Sequence, residues 1–277
     1  MTDRRTATAT IMGTVISVAA PGGTDPGLFA TAVDAAFAGL RQADEVFSPF
    51  KPDSPVSRIR DGRLALAGLG THPDGGRIRE ILAVCASLKA QSAGAFDAWA
   101  VGDPPVFDPC GAVKGWAAEQ ASATLSRHGL TGHALGAGGD VRVRGGSEEE
   151  PWRVGITDPH TPGQILAVAE LPDGAVATSG TAERGVHIWD PRSGSPASHL
   201  VQVTVIGPSL TWADGYATAA MALGPQAYGW LTALAERTAY QALTVDHEAG
   251  IWWTPGMTGH VPALRAHPAA VGGRMSL

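Results

Sequence analysis

Cysteine is nearly absent from this chain of 277 residues, with Cys85 and Cys110 the only two. Two thiols cannot build a disulfide framework or a cysteine-rich zinc module. Lysine is scarce as well: Lys51, Lys89 and Lys114 are the whole set. The 20 Lys+Arg stand against 26 Asp+Glu, a formal net charge of -6, and no basic run occurs. That excludes duplex nucleic acid as a favoured partner, because phosphate neutralisation supplies most of such affinity. Long apolar runs are missing, none approaching the ~18 residues that span a bilayer. Residues 1–20 carry Arg4 and Arg5 before a short apolar stretch. The stretch lacks a cleavage site and alternates like a strand, unlike a signal peptide. These absences point to a soluble, cytoplasmic protein.

What is present suffices for a core: hydrophobic residues make up 44% of the chain. The 36 glycines and 20 prolines imply many turns and short elements. Ile11, Val15, Ile16 and Val18 suggest an opening strand that ends at Pro21-Gly22-Gly23. Asp25-Pro26 reads as an N-cap with proline at the first helical position. Phe29, Val33, Phe37, Leu40 and Phe47 follow at helical spacing, which predicts a helix over about 27–47. A second helix fits Ile78, Ile81, Leu82, Cys85 and Leu88, and makes Cys85 an ordinary core residue. A third begins after Gly111 and runs through Trp116, Ala121 and Leu125. Strands are expected at 134–143 (around a glycine turn), 152–156, 165–171, 201–206, 242–245 and 250–254, with helices over 213–223 and then to about 237. Without regular βαβ alternation, this order reads as α+β with largely antiparallel sheet packed with helices. One domain over 1–277, with two closely packed subdomains as the alternative, accommodates it.

Several constellations can carry chemistry. Asp214 and Thr218 are four apart, so a carboxylate and a hydroxyl share one face near the expected solvent-facing helix start. Two hard oxygens suit Mg²⁺ completed by water, a carbonyl and phosphate. From spacing alone, plain helix-start polarity outweighs that reading. Asp108-Pro109-Cys110-Gly111-Ala112-Val113-Lys114-Gly115 is a turn feeding a helix, where exposed amides and Lys114 suit a phosphate. A solvated surface lysine explains Lys114 equally well. The turn Gly136-Ala137-Gly138-Gly139-Asp140 misses the dinucleotide fingerprint, and Ala177-Thr178-Ser179-Gly180-Thr181 lacks a hydrolase nucleophile elbow. His187 could serve as a general base, although a histidine bonded to backbone is the commoner case. Trp152, Trp252 and Trp253 could stack on a flavin or an adenine, but strand tryptophans are more often core.

Taken in order, these segments resemble the ApbE family of FAD:protein FMN transferases. The resemblance runs from Met12-Gly13-Thr14 to about Gly224. It includes Phe47-Ser48-Pro49-Phe50, Gly94-Ala95-Phe96-Asp97, Asp108 through Gly115, Gly138-Gly139-Asp140 and Trp152-Arg153-Val154-Gly155-Ile156. Thr178-Ser179-Gly180, His187-Ile188-Trp189-Asp190-Pro191 and Asp214-Gly215-Tyr216-Ala217-Thr218 complete it. Singly each segment is common; the ordered set is specific. The resemblance implies a Mg²⁺-dependent enzyme that moves FMN from FAD to a Thr or Ser hydroxyl of an acceptor flavoprotein and releases AMP. The acceptor would carry a D-x-[ST]-G-A-[ST]-like segment. By the same resemblance, Met12, Phe50, Ala95, Phe96, Asp97, Asp108, Lys114 and Trp189 contact FAD. Gly111 (through its carbonyl), Asp214 and Thr218 hold the metal, and His187 is the base. An FAD pyrophosphatase and a non-catalytic FAD-binding protein are the rival readings. The chain departs from the family in three places: Cys110 replaces a small residue, Ala217 stands where some relatives carry a carboxylate, and Phe50 replaces a frequent tyrosine. Lacking a lipid-attachment cysteine near its start, the chain is expected to meet a cytoplasmic acceptor.

Overall fold

The structure is a computed structural model and describes residues 3–181, 188–266 and 275–276. Its first two strands, β1 (Arg4–Ile11) and β2 (Thr14–Pro21), form an antiparallel hairpin in register from Arg4↔Pro21 to Ile11↔Thr14. Met12 and Gly13 turn the chain with φ of +56° and +68°, the pair of positive values that a two-residue type I′ turn requires. This corrects the single opening strand expected from the sequence. β1 alternates threonine with alanine and has no large apolar residue before Ile11, so hydrophobic periodicity gives it no signal.

Helix α1 (Pro26–Phe47) starts as expected: Asp25 Oδ1 accepts from the Leu28 amide at 2.8 Å, and Pro26 takes the first position. Its apolar face buries Phe29, Val33, Phe37, Leu40 and Phe47. Next come α2 (Pro55–Arg60), too short to show a period, α3 (Gly75–Gln91) and α4 (Cys110–Arg127). Cys85 lies on the buried face of α3. Strands β3 (His133–Ala137), β4 (Asp140–Arg144), β5 (Trp152–Thr157), β6 (Ile165–Leu171) and β7 (Gly174–Gly180) follow. Then come β8 (Trp189–Asp190), β9 (Ser195–Pro196) and β10 (Leu200–Gly207). The chain continues through α5 (Leu210–Leu223), α6 (Ala227–Arg237), β11 (Gln241–Asp246) and β12 (Gly250–Trp253). α7 (Met257–His260) and β13 (Met275–Ser276) close the sequence of elements.

Among the described residues, nine strands form one sheet in the order β1-β2-β3-β4-β7-β10-β11-β12-β13, and every adjacent pair is antiparallel. The α+β, antiparallel expectation therefore holds. Alternation along the strands feeds two cores. Ala242 and Trp252 join the core that includes α1, α3, α4, α5 and α6, whereas Leu243, Val245, Ile251 and Trp253 join a second. The separate β5–β6 hairpin supplies Trp152, Val154, Ile156, Ala167, Ala169 and Leu171 to that second core. All three tryptophans weighed as flavin-stacking candidates are thus core residues. Among the described residues no helix is long and apolar enough to cross a membrane.

Candidate active site

Helices α4 and α5 approach closely where α4 has no side chain. A Cβ on Gly115 would lie 2.6 Å from the Leu210 carbonyl oxygen and 2.7 Å from Asp214 Cβ. This proximity lets the Gly115 amide donate to Asp214 Oδ2 at 2.8 Å. Asp214 is only 2% exposed, which corrects the expectation of a solvent-facing helix start. α5 begins at Leu210, so Asp214 already sits inside the helix, on the face packed against α4.

Immediately before Gly115, whose amide Asp214 accepts from, lies a lysine that is not a solvated surface residue. Lys114 Nζ bonds Asp140 Oδ2 and lies 3.3 Å from Asp214 Oδ1. Asp140 opens β4, is fully buried, and accepts from the Thr178 amide of β7 through Oδ1 at 2.9 Å. Burial opposes the charge on Lys114, but the carboxylates of Asp214 and Asp140 outweigh it and hold the ammonium above its ordinary pKa. Burial holds the Asp140 carboxyl above the usual carboxylate range; Lys114 opposes that shift and Asp214 adds to it.

Hydroxyls complete the cluster. Thr218 stands one turn beyond Asp214, with Oγ1 3.4 Å from Ser179 Oγ on β7. A Cβ on Gly111 would meet Phe96 Cε2 at 3.0 Å and Thr218 Cγ2 at 3.2 Å, so these three residues touch. The fold thereby gathers Phe96, Gly111, Lys114, Asp214 and Thr218 from the expected set. It adds Asp140 and Ser179, to which sequence reading gave no role; their only signal was membership of Gly-Gly-Asp and Thr-Ser-Gly segments.

The remaining expected residues are placed less directly. Ala95 is buried beside Phe96, and Asp97 pairs with Lys89 at 2.6 Å. Asp108 Oδ1 caps the Cys110 amide at 2.9 Å, and Oδ2 lies 3.7 Å from Arg60 Nη2. The Ala112 and Val113 amides donate to the Pro109 carbonyl. The exposed phosphate-accepting amides expected at this helix start are therefore largely taken by the chain itself. Met12 is half-buried in the β1–β2 turn and packs against the core on the α1, α4 and α5 side. Phe50 is 92% exposed after α1, and Trp189 is half-buried in β8. His187 lies outside the described residues.

A model of the ApbE family matches residues 104–243, just over half of the chain, from the turn before α4 into β11. The chain belongs to the ApbE family. That matched span contains Asp108, Gly111, Lys114, Asp140, Ser179, Asp214 and Thr218. An FAD:protein FMN transferase of Rhodobacter capsulatus is 34% identical over 160 residues, covering 55% of this chain and 30% of that relative. One from Escherichia coli K12 is 33% identical over 124 residues, covering 41% and 35%. The matched stretch thus spans about a third of these curated relatives' length. Among solved structures, the ApbE protein of Thermotoga maritima superposes with a TM-score of 0.77 at 22% identity, over 93% of this chain and 99% of that one. The apo flavinyl transferase ApbE of Pseudomonas stutzeri gives 0.74 at 26% identity, over 95% and 98%. The ApbE fold is therefore shared along nearly the whole described chain.

Proposed function

We propose that this ApbE-family chain is a Mg²⁺-dependent FAD:protein FMN transferase acting on a Thr or Ser hydroxyl of an acceptor flavoprotein. The carrying observation is the buried Lys114–Asp140–Asp214 cluster beside the hydroxyls of Thr218 and Ser179. Two buried carboxylates face one ammonium there, so the cluster accepts further positive charge. Among the described residues no three His, Cys, Asp or Glu side chains are grouped to cage a metal. Mg²⁺ usually takes one or two carboxylates and leaves its other positions to water and substrate phosphates. Asp214, Thr218 and the Gly111 carbonyl would hold it. When bound, the ion supplies charge neutralisation at the diphosphate.

The chain's own groups do the rest in this reading. Lys114 places an ammonium beside the diphosphate, and Phe50, exposed as it is, offers a ring face to the flavin. His187 takes the proton of the acceptor hydroxyl as that oxygen bonds the FMN-side phosphorus. The bond from that phosphorus to the bridging oxygen breaks, and AMP leaves with the electron pair. A positioned base contributes ~10²–10⁴-fold, so His187→Ala should lose transfer by that order while still binding FAD. Residues 1–277 are read as one domain, an assignment the unbroken nine-stranded sheet supports. The acceptor is read as a cytoplasmic protein with a D-x-[ST]-G-A-[ST]-like segment.

The test is incubation with FAD, Mg²⁺ and a protein bearing that segment, followed by intact mass and nucleotide analysis. The expected result is an acceptor heavier by one FMN unit with AMP released. AMP with free FMN and no mass gain would establish a pyrophosphatase instead. FAD bound but unchanged would overturn the catalytic reading altogether.

A further inference from the structure

The charged cluster is unequal. Asp140 and Asp214 are 0% and 2% exposed, and Lys114 is the cation that bridges them. The nearby basic residues Arg60 and Lys89 are paired elsewhere, with Asp108 and Asp97. The two contacts of Lys114 also differ in length. The ammonium lies closer to Asp140, which the Thr178 amide fixes in place, than to Asp214 Oδ1 at 3.3 Å. Asp214 Oδ2 is committed to the Gly115 amide, so Oδ1 is the oxygen that faces the ammonium.

We propose that Lys114 is a resident counter-ion of this site, and that in the nucleotide-free protein it competes with the divalent cation for Asp214. The inference rests on reading Asp214 as a metal ligand. Mg²⁺ demands oxygen at about 2.0–2.1 Å, and an ammonium held against the same oxygen repels it. Metal entry then requires Lys114 to let go of Asp214 and keep Asp140. A lysine can do this, because its point charge sits on a flexible four-carbon stem with rotatable donors. Asp140 accordingly acts as a positioning residue: it retains the ammonium that Asp214 releases. Metal affinity in the empty site is set by how the two acids divide one lysine.

The test is titration of the nucleotide-free protein with MgCl₂ by isothermal calorimetry, with thermal unfolding measured in parallel. Lys114→Met removes the competitor, so Mg²⁺ should bind on the order of tenfold more tightly than to wild type. Mg²⁺ should also raise its unfolding temperature by more than it raises that of wild type. Asp140→Asn leaves Lys114 with Asp214 as its sole carboxylate, so Mg²⁺ should bind several-fold more weakly. The Asn side-chain oxygen still accepts from Thr178, which keeps that variant folded. A folded Lys114→Met that binds Mg²⁺ no tighter than wild type, or an Asp140→Asn that binds it equally well, overturns the proposal. Should Lys114→Met fail to fold by circular dichroism, the neutral but polar Lys114→Gln takes its place with the same expectation. Asp214→Asn separates the two levels. If it binds Mg²⁺ like wild type, the ligand assignment itself is wrong; if it does not, and Lys114→Met is unchanged, only the competition is.

Discussion

Gly115 holds the site together by having no side chain. Gly115→Ala would drive a methyl into the Leu210 carbonyl and Asp214. Such overpacking costs about 1–3 kcal/mol, and thermal unfolding should show a lower midpoint together with weakened Mg²⁺ binding. Asp214→Asn should slow turnover at limiting Mg²⁺. Because Asp214 is buried against Lys114, its unfolding temperature should shift too, which a surface carboxylate would not cause. The two cysteines divide in the same way. Burial pushes the Cys85 thiol up to about 12, whereas Cys110 is exposed. A disulfide reagent at neutral pH should titrate one thiol in the native protein and two after denaturation. Asp214 and Thr218 were legible as a pair because helical spacing alone places them on one face. Asp140 was not, since its partners are 26 and 38 residues away in sequence.

The elements are tied together by groups that local pattern does not reveal. His133 of β3 is fully buried; its Nδ1 lies 2.8 Å from Leu130 O and its Nε2 2.8 Å from Ser122 Oγ of α4. Arg144 Nε of β4 donates to the same Ser122 oxygen at 3.0 Å. A neutral ring satisfies this arrangement, donating from Nδ1 and accepting the Ser122 hydroxyl at Nε2. Burial lowers the His133 pKa to about 4 from 6.5, and the Arg144 and Arg142 charges add to the effect. Between those values the unfolded chain binds a proton that the folded chain refuses. Stability should therefore fall as pH drops from 6.5 towards 4, by on the order of 3 kcal/mol at the acid limit. Urea unfolding at pH 7 and pH 5 should show the loss, and His133→Gln should flatten that dependence. Helix α1 was readable to within a residue, because its cap, its proline and its apolar stripe agree. α2 and β7 were not: a six-residue helix spans too few turns for periodicity, and the alanine- and glycine-rich β7 carries little hydrophobic contrast.

Across the molecule, the sheet separates two cores, and the charged cluster sits on the side of α4 and α5. Ile156, 2% exposed in the β5–β6 hairpin, belongs to the other side. Ile156→Ala should cost about 2–5 kcal/mol of stability yet leave Mg²⁺ affinity in the folded protein unchanged, as calorimetry below the unfolding transition would show. What the order of residues determined unaided was local: most helices and strands, the antiparallel class, and the α5 pair Asp214 and Thr218. These follow from spacings of two, three and four residues, which any chain expresses before it folds. Tertiary structure alone decided that Lys114 lies between two buried acids, that Asp214 is inside the protein, and that Asp140 and Ser179 join it. Burial and charge pairing depend on which distant segments meet across the sheet, and no short-range period in the chain records that.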